Sequence, residues 1–329
     1  LRRDDDMKRL LMIILILAAL LISGCMESQD KPEKSIDELK TLSLSAADNL
    51  TGYSLQSTMT RVRTLNAAGE NATSENATTI TESAETTAIV SLVEHKAHAK
   101  GSTSIEAKQP GLDSNTTTTK ADVYQMGNST YIMDESGNWT HLQDPRTTEE
   151  IWGGGNNNQV KAMAETFNLS PVEMAGSEKI DDTDAYKLRI ITGESDDEAL
   201  YNTAFNLAAN MVSYPMFMPQ IDRAELNETG KIEKSIWISK STYLPVKYHS
   251  LMSFTVTPSI VGALDINTSQ MTMFNESIGM GAIDVRIETS DVYYDFDKQV
   301  GIDPPAEALE APVIRPIQIR AEDSSQGQR

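Results

Sequence analysis

A chain of 329 residues with 39% hydrophobic and 23% charged residues has enough apolar material for a packed core and too much for wholesale disorder. Its 28 Lys and Arg against 48 Asp and Glu give a formal charge of -20. That balance argues against a nucleic acid partner and against electrostatic docking on anionic lipid, both of which need clustered cations. It fits a solvated, self-repelling surface instead.

The chain opens with the pattern of an export signal. Met7-Lys8-Arg9 is a short basic segment, and Leu10 to Ile22 is an unbroken apolar stretch. The stretch is shorter than the roughly twenty residues a spanning helix needs, and it is followed by small residues, as signal peptidases require. Residues 1–24 are therefore expected to be a signal peptide starting at Met7, with an uncleaved anchor as the alternative. Ile22-Ser23-Gly24-Cys25 resembles the lipobox of bacterial and archaeal lipoproteins, in which cleavage precedes the cysteine and the thiol carries lipid. Cys25 is the only cysteine, so no disulfide can form within the chain, and no base or pocket signature accompanies it for catalysis. The expectation is a lipid anchor at Cys25, holding the exported protein on the outer face of the cytoplasmic membrane.

Residues 25–34 read as a polar, lipidated tether. Ile36, Leu39, Ala46, Ala47 and Leu50 recur at helical spacing, and Gly52 is expected to end that helix. Tyr53, Leu55, Ser57 and Met59 then alternate with Ser54, Gln56 and Thr58, the period of a half-buried strand. The Ser/Thr/Asn/Glu-rich residues 66–88 suit either a long connection or weakly patterned strands. Residues 121–143 hold three strand candidates divided by Gly127-Asn128 and Ser136-Gly137-Asn138, which carry hairpin turn chemistry.

Two more strand-turn-strand units follow at 176–193 and 231–254, with long alternating runs at 263–275 and 282–296. Helices are predicted at 159–168 and 198–212, the second from the capping-box spacing of Ser195 and Glu198. Beyond residue 309, prolines and polar residues suggest a flexible tail over 310–329. Many antiparallel strands with few helices predict an α+β fold: one strongly curved antiparallel sheet, an open half-barrel, with helices packed on its concave side.

Three segments carry a family resemblance: "VYQMGNSTYIMDESGNWTHL", "IWISKSTYLPVKYHSLM" and "VYYDFDKQVGIDPPAEAL". In this order and behind a lipobox, they are similar to LolA/LppX-like envelope lipoproteins over residues 35–309. The resemblance implies an open barrel whose apolar concave surface holds acyl chains of a lipid or lipoprotein, and thus a carrier role. From the residues themselves, Tyr214, Met216, Phe217 and Met218 cluster after the second helix, and Met271 and Met273 share a face of a candidate strand. Such residues suit either the wall of an adaptable apolar cavity or a filled core.

Nothing points to an enzyme, a metal or a cofactor. His95 and His98 are three apart on an expected strand and so face opposite ways, and no HExxH, GxSxG or Walker sequence is present. Asp295 and Asp297 begin a calcium-loop spacing without its glycine. N-x-S/T sequons at Asn49, Asn71, Asn76, Asn115, Asn128, Asn138, Asn227, Asn267 and Asn275 are candidate glycosylation sites, while Asn168 is disfavoured by Pro171. A second functional reading is therefore a glycosylated envelope structural or interaction module with no small-molecule ligand.

Overall fold

The first strand sets the pattern for the rest. β1 (Gly52–Leu65) is flanked over almost its whole length by β2 (Thr78–Ser91) and β14 (Ile283–Tyr294), both antiparallel. Strand period two sends Tyr53, Leu55, Ser57, Met59, Arg61 and Arg63 to one face and the intervening residues to the other. The computed structural model describes residues 34–66, 77–153, 157–211, 217–257, 259–262, 278–279 and 281–314.

Around this core strand hairpins add in succession, among them the three expected from the sequence at 121–143, 176–193 and 231–254. β3 (Lys96–Lys108), β4 (Asn115–Met126), β5 (Ser129–Met133) and β6 (Trp139–Gln143) continue from β2. β11 (Pro245–Val256), β10 (Lys231–Ser239), β8 (Thr183–Ile190) and β7 (Val172–Ile180) continue from β14. The short β15 (Val313–Ile314) lies parallel to β6, so residues 313–314 of the expected tail pair with the sheet, while 315–329 lie outside the described residues. The result is a single curved, unclosed sheet of twelve strands in the order β15-β6-β5-β4-β3-β2-β1-β14-β11-β10-β8-β7, with β7 and β15 at its edges. A smaller three-stranded sheet is made of β9 (Phe217–Gln220), β12 (Ser259–Gly262) and β13 (Ile278–Gly279).

The chain divides into a unit of Leu1–Glu38 and one of Leu39–Arg329. In the first, Ser35 and Glu38 form a reciprocal cap at the start of α1 (Ile36–Asp48): the Glu38 N–H donates to Ser35 Oγ and the Ser35 N–H to Glu38 Oε2. The helix ends at Asp48 rather than at Gly52, which instead opens β1. A Cβ at Gly52 would sit 2.7 Å from the Val90 carbonyl oxygen, so the close approach of two strands explains the glycine.

In the second unit, helices cover two ends of the concave face. At one end Ala47 and Leu50, α2 (Thr148–Trp152) and α3 (Gln159–Leu169) bury Ile151, Trp152, Val160 and Ala164 against Tyr53, Leu55, Val90 and Tyr293. At the other, α4 (Glu194–Met211) and α5 (Arg223–Thr229) bury Leu200, Ala204, Leu207 and Leu226 against Phe254, Val256, Ile283 and Val285. The start of α4 corrects the expected cap. The helix begins at Glu194, and the reaching side chain is Asp196, which accepts from the Gly193 N–H at 3.0 Å. Asp196, only 7% exposed, is also paired with Lys234 on β10, which fixes the helix end to the sheet.

Tyr53 ties α3 to the sheet. Its hydroxyl donates to the Asn157 carbonyl at 3.3 Å and accepts from the Gln159 N–H at 3.1 Å, while Asn158 caps the same helix through Oδ1 to the Lys161 N–H at 2.9 Å. Burial pushes the Tyr53 phenol up to about 12. Tyr53→Phe should lower unfolding free energy by about 1 kcal/mol in urea titration. Tyr293→Phe, which removes a hydroxyl with no hydrogen-bond partner among the described residues, should cost less. Equal losses for the two variants would refute the bridging role.

Candidate functional site

Between the two helix-covered ends, the concave face is only half-buried. Ser57 and Met59 on β1, Ala84 and Thr86 on β2, Thr289 and Asp291 on β14, and Tyr248 and Ser250 on β11 share this face by register and form its floor. Toward β3 and β4 the floor continues through Ala99, Gly101 and Val123. The rows at either end, Tyr53 with Leu55 and Ile283 with Val285, are buried. From Ser57 to Arg63 the strand runs about 20 Å at the usual rise. The geometry is a trough, walled at its ends by helices and floored mostly by small, apolar and hydroxyl side chains.

Its electrostatics are uneven. At one end, Asp291 accepts from Ser57 Oγ at 2.6 Å and has no cation beside it among the described residues. Burial pushes the Asp291 carboxyl up, against the lowering effect of the Ser57 hydroxyl. The neighbouring phenol of Tyr248 is also pushed up, chiefly by burial and further by the charges of Asp196 and Asp291. Farther along β1, Arg61 pairs with Glu82 at 3.0 Å. A separate cavity of about 310 Å³ at the β1–β2 end is lined by Thr51, Gly52, Val93, Glu94 and Asp297. There Asp297 Oδ1 is taken up by the Thr51 N–H and hydroxyl, at 2.8 and 2.7 Å.

Few of the residues expected from the sequence to form a site fall where they can be described. Cys25, Tyr214, Met216, Met271 and Met273 lie outside the described residues, as does the run 263–275. Phe217 and Met218 form β9, where their backbones pair with Gly262 and Val261, and their side chains are not described. Among the sequons, Asn49, Asn115, Asn138 and Asn227 are exposed, whereas Asn128 is half-buried and donates to the Asp144 carbonyl at 3.2 Å. Asn71, Asn76, Asn267 and Asn275 lie outside the described residues.

The histidines have structural partners. His95 is not on a strand: it occupies the β2–β3 turn with φ of 54°, against Trp152. His98 stacks on Tyr124 and meets Asp122 at 2.8 Å, on the convex face. Among the described residues no three of His, Cys, Asp and Glu gather to hold a metal ion. The trough residues themselves were missed by pattern reading, although strand 283–294 signals one of them. Asp291 falls in phase with Ile283, Val285 and Ile287, an acid on the apolar side of an alternating strand.

No family model and no curated protein matches the chain. Among solved structures, the chain is similar to the lipoprotein LppX of Mycobacterium tuberculosis, at 11% identity and a TM-score of 0.32, over 82% of this chain and 98% of that one. It is similar also to LprF from Mycobacterium bovis, at 13% identity and a TM-score of 0.34, over 82% and 96% of the two chains. A DUF1329 family protein from Desulfovibrio piger aligns at 9% identity and a TM-score of 0.21, over 82% and 96%. The structural neighbours thus include LppX-like lipoproteins, the kind of protein the three sequence segments resemble. Likenesses of this strength decide nothing about a ligand.

Because Asp291 titrates above its unfolded value in the folded chain, the folded state binds more protons there and stability falls as pH rises through that window. Asp291→Asn should therefore be more stable than the parent at pH 7, with the gap closing below about pH 4. Urea titrations at the two pH values measure it, and a gap that is absent or reversed at pH 7 contradicts the assignment.

Proposed function

We propose that this chain is an exported lipoprotein, held to the membrane through Cys25, whose trough binds an apolar ligand of the lipid or acyl-chain class. The observation that carries the reading is the concave face of β1 from Ser57 onward, left half-buried between the buried Tyr53 and Leu55 at one end and the buried Ile283 and Val285 of β14 at the other. A sheet face bearing Met59, Ala84, Ala99 and Val123 toward partial exposure is in deficit of apolar contact. A ligand with an alkyl chain supplies that contact at roughly 0.8 kcal/mol per buried methylene. Small floor residues leave the depth for it, and hydroxyls of Ser57, Thr86 and Thr289 give orientation without charge. A carrier role requires in addition that the ligand leave again, and the open edges of the sheet are compatible with exchange.

The anchor half of the proposal rests on the sequence. Cys25 follows the apolar segment and the small pair Ser23-Gly24, and among the described residues no helix is long and apolar enough to cross a membrane. Exposure of Asn49, Asn115, Asn138 and Asn227 favours the second reading, a glycosylated envelope module that contacts other surface components and takes no ligand. Mass spectrometry of the native protein separates the two: co-purifying lipid supports the first, dense glycans with no ligand the second.

The full chain should bind a fluorescent fatty-acid probe with a saturable isotherm, and Ala84→Trp, which fills the floor, should weaken binding about tenfold or more. Linear uptake indifferent to Ala84→Trp would sink the ligand reading. Independently, Cys25→Ser should move the protein from the membrane to the soluble fraction or leave its precursor unprocessed. A processed Cys25→Ser protein that stays on the membrane excludes the anchor.

A further inference from the structure

Among the described arginines, one has no partner. Arg61 pairs with Glu82, Arg146 with Asp144, Arg189 with Glu173, Arg223 with Glu198 and Arg286 with Glu288. Arg63 pairs with none of the described residues, in a chain whose acids outnumber its bases by twenty. Its position makes this costly. Arg63 stands on the concave face between Val285 of β14 and Ile80 of β2, and its Nε has lost water without gaining an acceptor. A buried donor left without an acceptor carries a desolvation penalty, and a charged one a larger penalty. Surface arginines of an acidic protein find carboxylates without special arrangement; this one, at the end of the trough, does not.

We propose that Arg63 receives the anionic headgroup, a carboxylate or a phosphate, of the apolar-chain ligand that the trough holds. The inference rests on the trough reading and specifies its ligand class. A guanidinium presents a planar fork of donors that matches either oxyanion, which an ammonium does not. The trough supplies the rest of the amphiphile's needs in order along β1. Arg63 stands at one end, Met59 and the cross-strand Ile287 present apolar surface on the same face, and Ser57 with Asp291 closes the other end. The carboxylate there repels an anion, so the two ends differ in sign and the ligand has one orientation, head at Arg63. Arg61 lies on the same side but is paired with Glu82, which leaves Arg63, among the described residues of this face, as the cation free to take a headgroup.

The test titrates the full chain with four probes: palmitate, hexadecyl phosphate, hexadecanol and inorganic phosphate. Palmitate and hexadecyl phosphate should bind about tenfold or more tightly than hexadecanol. Arg63→Gln should erase that difference while leaving hexadecanol binding unchanged, and Arg63→Lys should restore part of it. Loss of all three chain ligands in equal measure on Arg63→Gln, or loss of none, overturns the headgroup assignment while the trough reading stands. Inorganic phosphate binding as tightly as hexadecyl phosphate overturns it as well, by showing a site for the free anion. If hexadecanol, palmitate and hexadecyl phosphate all fail to bind a parent chain with a normal unfolding transition, the trough reading fails and this inference with it.

Discussion

The arrangement depends on the register of three neighbouring strands, β2, β1 and β14. Their ladders run without interruption for twelve residues or more, and period two then assigns every side chain of the three to one face. A slip by one residue would turn Tyr53 and Leu55 away from the helices and bring Ser54 and Gln56 against them. The buried rows at the ends of the sheet prevent such a slip, because each is packed by a different set of helices. With both ends fixed, the rows between them are held in place without needing to be buried themselves. A half-exposed middle is thus a product of well-packed ends.

That division has a counterpart in charge. Residues in the buried rows are apolar or aromatic, and Tyr53 has its hydroxyl satisfied at a helix end. In the middle rows the same strand faces carry Ser57, Asp291, Arg61 and Arg63. Asp196 with Lys234 shows how this fold treats a carboxylate when it is nearly fully buried: it is given both a cation and a backbone N–H. Asp291, less buried, is given one hydroxyl, which offsets only part of the burial that raises its proton affinity. Partial satisfaction of this kind persists where solvent or another molecule shares the work.

Much of the architecture was legible in the residues. The hairpins at 121–143 and 176–193 announce themselves through Gly-Asn and Asp-rich turns, and positive φ at Gly127, Gly137 and Asp181 shows why those residue types are there. The helix expected over 159–168 forms as α3, but the start of α4 was misplaced: the helix begins at Glu194, four residues before the expected start, and Asp196 accepts from the Gly193 N–H. The region 66–88 left a connection and weakly patterned strands both open, and β2 forms over its second part, its Thr and Glu residues on a strand with one solvated face looking like a loop by composition. The trough was missed for a related reason. Attention to clusters of large apolar residues favours Met and Phe, whereas small floor residues such as Ala84 and Ala99 and charged ones such as Arg63 carry no hydrophobic signal. Extending the alternation from Tyr53 through Met59 by two more pairs would have placed Arg61 and Arg63 on the inner face.

The edges at β7 and β15, unpaired among the described residues, have a mechanical consequence. In a closed barrel, strand number and shear fix the girth, so widening the lumen means breaking or re-registering a ladder. Here the two edge strands do not meet, and no such condition applies. The sheet can tighten or relax its coil by small changes of twist distributed over eleven strand pairings, with each ladder intact. Compliance of that sort is a spring rather than a hinge: a change of bore of this kind is reversible because no hydrogen bond is spent.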